Sequence, residues 1–303
     1  MKRRLVDYSK LGWGCGHVRR CRPSSHRRTD LWGASSCQRT VPQHHPLRDL
    51  RGGATASPRS SLAAGLCSTP QWTIRSSRER PSLDNPIWSA LSSRLAHFGE
   101  GDSEAKRFNA DVSPFAAAID ASAQAVASLG AMVPAEGDIS LLQAAPPQPP
   151  PGVTVTMSAL GLQMVAQGLT KGEKRFAIER LSDAHAAEML ELATLTRPGP
   201  FRTRTHALGR FVGIRDNGKL IAMAGERLRT DEFIEISAVC THPDYRGRGY
   251  GAALMRTVGA RIIADGATPF LHTYADNTGA IALYESLGFK PRCEVIHAVW
   301  ARS

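Results

Sequence analysis

Phe233-Ile234-Glu235-Ile236-Ser237-Ala238-Val239-Cys240-Thr241, followed by His242-Pro243-Asp244-Tyr245 and then Arg246-Gly247-Arg248-Gly249-Tyr250-Gly251, decides the fold of this 303-residue chain. The first run is β-branched and mostly apolar, and after Gly251 the apolar residues Leu254, Val258 and Ile262 recur at helical spacing. A strand therefore feeds a helix through a glycine-rich turn. Gly247, Gly249 and Gly251 lack a Cβ, which lets the backbone turn sharply and lets N–H groups at a helix start approach an anion. A pyrophosphate suits that place. Arg246 and Arg248 either add charge at its mouth or face solvent.

Gly247, Gly249 and Ala252 also fit the G-x-G-x-x-A spacing of a dinucleotide-binding turn. In such a turn the strand abuts the first glycine, whereas here residues 242–246 intervene and Pro243 cannot continue a central strand. The dinucleotide fold is disfavoured on that ground.

Working outward, residues 270–274 form the next strand, Asn277 precedes a helix over 278–287, and a last strand runs over 295–301. Upstream, residues 175–181 suggest a first core strand, and Ser182 caps an Ala-, Leu- and Met-rich helix to about residue 195. Pro198-Gly199-Pro200 breaks the chain, and a loop with Arg202, Arg204 and His206 follows. Strands over 211–214 and 220–227 flank Asp216-Asn217-Gly218-Lys219, a strong hairpin signal.

At these residues the chain resembles the GNAT superfamily of acetyl-CoA-dependent N-acyltransferases. The family's cofactor motif, Arg or Gln followed by x-x-G-x-G or x-x-G-x-A, is met by Arg246, Gly249 and Gly251. Its second motif, a strand, an Asn and a helix ending Leu-Tyr-x-x-x-Gly-Phe, is met by residues 270–274, Asn277 and Leu283-Tyr284-Glu285-Ser286-Leu287-Gly288-Phe289. The similarity covers about the last half of the chain and is nearest to the C-terminal domains of glycine-N-acyltransferase-like proteins. It implies a mixed α/β fold, with a mostly antiparallel sheet and flanking helices over 153–303. A motif-poor α/β half over 82–152 precedes it.

The resemblance also implies acetyl-CoA as co-substrate. Cofactor contacts would come from the main chain of Val239 and Thr241, from Arg246, Gly247, Arg248, Gly249, Tyr250 and Gly251, and from Asn277, which equally suits a helix cap. Tyr284 would protonate the departing thiolate, a phenol of pKa about 10 facing a sulfur of about 8.5. The attacking amine must be neutral, yet a free lysine at about 10.4 is only about one part in a thousand neutral at pH 7, a cost of roughly 4 kcal/mol. Glu235 is the first candidate for the base, with His242 and His272 next, although each also suits a structural role. Cys240 suits an inert core thiol. Arg197, Arg202 and Arg204 fall in the family's substrate-lining loop, consistent with a carboxylate-bearing substrate or a solvated basic loop. The expected acceptor is a small-molecule or peptide amine, and the alternative is a CoA-binding sensor or scaffold without turnover.

Charge is unevenly spread. Residues 1–80 hold 16 Lys and Arg against 4 Asp and Glu, while the chain as a whole carries +11. The tail over 1–81 is rich in Arg, Ser, Gly and Pro without apolar periodicity, and reads as disordered, as an organelle transit peptide, or as an extension upstream of a start near Leu83. Cys15, Cys21, Cys37 and Cys67 with four histidines lack metal-ligand spacing, so no metal is expected. The basic excess permits nonspecific phosphate contact without the elements of specific nucleic-acid recognition. No apolar run reaches the roughly 18 residues of a membrane span. Cys240 and Cys293 alone in the folded part suit a reducing, cytoplasmic setting. The oligomeric state is not legible.

Overall fold

In a computed structural model of the protein, the described residues are 81–303 except 171, 173 and 174. The basic tail and every expectation attached to its cysteines and histidines lie outside the described residues. The chain enters through α1 (Pro81–Asp84) and α2 (Pro86–Leu91), the latter started by Asn85, whose side chain accepts from the Trp88 amide, with Pro86 at the first helical position. A small antiparallel sheet follows, formed by β1 (Gly99–Gly101), β2 (Ala105–Phe108) and β3 (Ala116–Ala118). Next come α3 (Ala123–Ala131), capped by Ser122, then β4 (Asp138–Gln143) and the long β5 (Val153–Ala166).

The remainder runs β6 (Glu179–Leu181), α4 (Ala186–Thr196), β7 (Phe211–Asp216), β8 (Lys219–Arg229), β9 (Phe233–Thr241), α5 (Tyr250–Ala264), β10 (Thr268–Tyr274), α6 (Thr278–Ser286) and β11 (Phe289–Arg302). These elements follow the expected order of strand, helix, three strands, helix, strand, helix, strand. Asn217 and Gly218 turn the β7–β8 hairpin with φ of 46° and 80°, the left-handed pair that a two-residue turn demands.

Eight strands form one sheet in the order β4-β11-β5-β10-β9-β8-β7-β6, antiparallel except between β9 and β10. The fold is thus mixed α/β with a mostly antiparallel sheet and flanking helices. Two features depart from the linear reading. The strand expected over 175–181 narrows to three residues, β6. More consequentially, β5 inserts between β10 and β11, and β4 adds to the far edge of β11.

Packing runs across residue 152 without a break. Leu83, Ile87, Leu91, Phe108 and Phe115 share a core with Val165, Leu228, Phe233, Phe270 and Val295, and residues 81–303 fall in one compact unit. Strand partners chosen across such distances leave no local sequence trace, which is why the place of β5 beside β10 was not readable. On the opposite face α5 buries Leu254, Met255, Val258 and Ile262 against Ile234, Ile236, Met164 and Leu271. Each such side chain contributes about 1.5–3 kcal/mol on burial.

Candidate functional site

The sheet opens at its centre. β9 and β10 pair only from Phe233↔Thr268 to Glu235↔Phe270, and beyond that point they diverge. Residues 236–239 and 271–274 then face each other across a cleft. The divergence has a local cause in β9. Ser237 pairs with Gly225 and Cys240 with Met223, so Ala238 and Val239 together oppose Ala224. Two residues against one make a β-bulge, which bends the strand, and Ala238 carries it with a φ of 52°.

The bulge also changes which face the side chains occupy. Ile234 and Ile236 pack toward α5, whereas Ala238 and Cys240 pack toward α4 with Met189 and Leu192, and Val239 takes over the α5 face. Main-chain groups of β9 past Glu235 are left outside the ladder on the β10 side, a ready edge for an extended ligand.

That edge leads into the start of α5. Pro243–Tyr245 form a single helical turn, at whose head His242 Nδ1 accepts from the Asp244 amide, and the Tyr245 hydroxyl donates to Asp216 at 2.7 Å. Gly249 is the N-cap of α5 with φ of 86°, a conformation that a side chain would strain. The helix ladder begins with Ala253 N donating to Gly249 O, so the amides of residues 250–252 have no helical acceptor. A Cβ built at Gly247 or Gly249 would meet no atom within 4 Å, and one at Gly251 only Val239 Cγ1 at 3.8 Å. Open space, three outward amides and the positive end of a 15-residue helix make an anion cradle. Arg246 sits beside it, its Nε 3.4 Å from Thr241 O. Arg248 folds back instead, stacked over Tyr245 at 5.0 Å and donating to Asp244 O. Tyr250 packs edge-on against Phe176.

α6 closes the other side. Asn277 is its N-cap, accepting from the Ala280 amide at 3.2 Å. Gly288 ends it with φ of 98°, and the Gly168 carbonyl lies where a Cβ would stand, which explains the Gly-Phe pair of the motif. Tyr284 lines the cleft and touches Phe289, and burial pushes its phenol up to about 12.

Glu235 occupies a position unlike the one expected for a base. It is fully buried; Arg227 takes both its oxygens at 2.7 and 2.6 Å, and His272 Nδ1 meets Oε1 at 2.7 Å. The Arg227 charge, with the hydrogen bonds from Arg227 and His272, overrides desolvation and holds its carboxyl down at about 2. A carboxylate so held is a poor proton acceptor at neutral pH, and the physical reason is that its lone pairs serve Arg227. Of the two histidines, His272 lines the cleft, while His242 caps its turn with Nε2 toward Lys219 at 3.4 Å. Cys240 is buried and its thiol is pushed up to about 12 by desolvation, as suits an inert core residue.

The basic loop does not line the cleft either. Arg204 pairs with Asp111, and Arg197 ends α4 in a left-handed conformation; it is Pro198, Gly199 and Pro200 that border the opening. Arg227, Tyr274, His297 and Phe115 also line it. None of these carried a motif, because each reaches the cleft through tertiary packing. The alternation along residues 270–274 was the one signal that could have singled out Tyr274. Among the described residues no group of three or more His, Cys, Asp or Glu comes together as a metal-ligand set, and no helix is long and apolar enough to cross a membrane.

A bulged, splayed strand pair that leads to an open helix start, with a buried tyrosine between, defines a class of acyl-transfer fold, and comparison with known proteins agrees. Residues 211–301 match the family model described as FR47-like protein. A solved GNAT-family structure from Novosphingobium aromaticivorans is 39% identical, covers 73% of this chain and 98% of its own, and superposes with a TM-score of 0.69. The chain belongs to the GNAT family of acetyltransferases. Among curated relatives, the N-alpha-acetyltransferase RimI of Mycobacterium tuberculosis is 40% identical over 83 residues, 26% of this chain and 51% of the relative. A mycothiol acetyltransferase of Corynebacterium aurimucosum is 41% identical over 75 residues, 24% of each chain. The chain thus spans about half, or less, of the length of these curated relatives.

Proposed function

We propose that the protein transfers an acetyl group from acetyl-CoA to the primary amine of a small molecule or peptide, by direct attack and without an acyl-enzyme. The observation that carries this is the meeting, in one cleft, of the β9 edge, the anion cradle of α5 and the Tyr284 phenol. The fit is chemical as well as spatial. An extended pantetheine arm finds strand-like partners in the main chain of Val239 and Thr241, and a pyrophosphate finds the amides after Gly247 and Gly249, at Tyr250 and Gly251, with Arg246 beside them. Arg248 supports this cradle through its turn, and Asn277 holds α6 in place beside the arm.

In this mechanism the amine nitrogen bonds to the acetyl carbon, the tetrahedral adduct collapses with cleavage of the C–S bond, and Tyr284 gives its proton to the sulfur. A phenol near 12 is not too weak for that task, because burial raises a thiol as well, as it does Cys240 elsewhere in the core. Glu235 is assigned no proton transfer; it holds Arg227 and His272 in the cleft wall.

The curated relatives differ in the acceptors their names give, and the acceptor here is a separate part of the proposal. The narrower likeness to glycine-N-acyltransferase-like domains rests on the α5 and α6 motifs alone. A cytoplasmic setting belongs to the same reading, supported by the free thiols of Cys240 and Cys293. The occupied state of Glu235 is the one observation on the side of a CoA-binding sensor without turnover. CoA release measured across amino acids, polyamines, small amines and peptides separates the two. Turnover with any of them, lowered by Tyr284→Phe, supports transfer; CoA affinity with no release across the panel supports the sensor.

A further inference from the structure

Arg227 keeps donors that no protein group takes. It grips Glu235 from the side, through Nε and Nη2, which uses two of the five N–H groups of a guanidinium. Nη1 has no hydrogen-bond partner among the described residues, yet it is not one of the buried side-chain atoms sealed away without a partner. The side chain is 9% exposed and lines the cleft, so Nη1 and the outer hydrogen of Nη2 open into it. Their direction is fixed in advance, because Glu235 holds one edge of the guanidinium and the Phe115 ring lies 4.8 Å from its carbon.

The charge of Arg227, by contrast, is balanced. Against desolvation, the Arg227 charge and the hydrogen bonds from Arg227 and His272 hold the Glu235 carboxyl at about 2, so the two side chains together are neutral. Among the described residues lining the cleft there is no other cation. Arg292 can only donate, so the Gln163 atom it meets at 2.9 Å is the amide oxygen, and the Gln163 nitrogen faces His272 Nε2 at 3.1 Å. That ring nitrogen accepts, the ring proton sits on Nδ1 toward Glu235, and His272 is uncharged. Burial, helped by Arg227 and His272, lowers the His297 ring to about 4. A ligand carboxylate at Nη1 would be a second anion on one guanidinium in a dry cleft, a costly arrangement without a further cation. A neutral carbonyl oxygen takes the same hydrogens and adds no charge.

The alternation of β9 places this fork. Ile234 and Ile236 pack toward α5 together with Tyr284, whereas Glu235 between them turns to the other face, where Arg227 meets Phe115. A thioester lying between β9 and β10 would have Arg227 on one face and Tyr284 on the other.

We propose that Arg227 selects the acceptor: its free Nη1 and Nη2 hydrogens hold a neutral carbonyl oxygen carried by the amine, the arrangement of an amino-acid amide or of a peptide N-terminus, and discriminate against a free carboxylate. This rests on the acetyl-transfer reading of the same cleft. With the carbonyl held at Arg227, the amine nitrogen reaches the acetyl carbon from the face opposite Tyr284, toward which the sulfur departs.

The test is steady-state kinetics on the full chain with leucinamide, leucine, isoamylamine and a tripeptide beginning with leucine. These share one side chain and differ in the group beside the amine, and kcat/KM is referred to the concentration of uncharged amine so that their different amine pKa values do not enter. Wild type is expected to favour leucinamide or the tripeptide at least tenfold over isoamylamine and over leucine, as a hydrogen bond to a charged group returns. Whichever of the two leads tells a small amide from a peptide. Arg227→Lys keeps a cation against Glu235 but lacks the planar fork, and in it the preference over isoamylamine should shrink to within threefold. A merely structural role would lower turnover of all four together and leave that preference intact, which would overturn the assignment. So would wild type that turns over isoamylamine or leucine as well as leucinamide, a comparison that stands whether or not Arg227→Lys folds. CoA release without preference removes Arg227 alone from the site, whereas acetyl-CoA binding with no release for any amine would sink the transfer reading and the role of Arg227 with it.

Discussion

Arg227 holds Glu235 through two parallel hydrogen bonds, Nε to Oε2 at 2.7 Å and Nη2 to Oε1 at 2.6 Å, beneath the floor of the cleft. The guanidinium also lies 4.8 Å from the Phe115 ring, so the N-terminal elements and the central strands meet at this pair. Removing one partner of a buried pair leaves the other charge uncompensated, at about 3–5 kcal/mol. Glu235→Gln should therefore lower the melting temperature by roughly 10 °C, while the folded fraction keeps kcat for the amine within about fivefold of wild type, because no proton moves through this carboxylate. A loss of a hundredfold or more at unchanged stability would restore Glu235 as the base.

The same pair sets an acid limit. The folded carboxyl is depressed to about 2 from 4.5, so its stabilisation is fully present above pH 4.5 and is lost as pH falls through 2. By linkage this amounts to roughly 3 kcal/mol. Urea midpoints measured between pH 6 and pH 2.5 should fall steeply in the wild type and much less in Glu235→Gln.

Tyr284→Phe removes the proposed acid without disturbing the packing against Phe289. It is expected to lower kcat by about a hundredfold, in the range of general acid catalysis. Because its phenol stays protonated until pH approaches 12, kcat of the wild type should show no alkaline decline from this group below pH 10. A decline near pH 8 that Tyr284→Phe abolishes would contradict the assignment.

Gly249 and Gly251 should separate strain from ligand space. Gly249→Ala places a side chain at φ of 86° and should destabilise by about 1–2 kcal/mol as well as weaken CoA binding. Gly251→Ala meets only Val239 at 3.8 Å, so its melting temperature should match wild type while CoA affinity, read by calorimetry, falls about tenfold or more. Unchanged affinity in Gly251→Ala would remove the cradle from the cofactor site.

Ala238 holds the bulge. Glycine relieves the positive φ but adds chain entropy, and the two effects, each about 1 kcal/mol, nearly cancel. Ala238→Gly should therefore melt within a few degrees of wild type, whereas the β-branched Ala238→Val should lose at least about 2 kcal/mol and bind CoA poorly. Equal CoA affinity in both variants would show that the cleft does not depend on the bulge.

Local chemistry was legible along the chain because its causes are local. The Asn217-Gly218 turn, the Asn277 cap, the glycine entry to α5 and the apolar spacing of Leu254, Val258 and Ile262 each act within a few residues, and each is found where the residue types require it. The positions of Tyr284 and of the glycines before α5 were legible for the same reason, since they travel with those elements. Glu235 was readable as a carboxylate on a strand, but its state depends on Arg227 and His272, eight and 37 residues away.

The sequence by itself determined the order of strands and helices from β6 onward, the family resemblance and the glycine-rich entry to α5, because periodicity, capping and glycine freedom are written in neighbouring residues. Only the tertiary structure decided that β5 enters the sheet beside β10, that Ala238 bulges to open the cleft, and that Glu235 is held by Arg227 while Tyr274 meets His297. Those outcomes depend on which distant groups come to share a dry interior, where strand edges must find partners and charges must be paired.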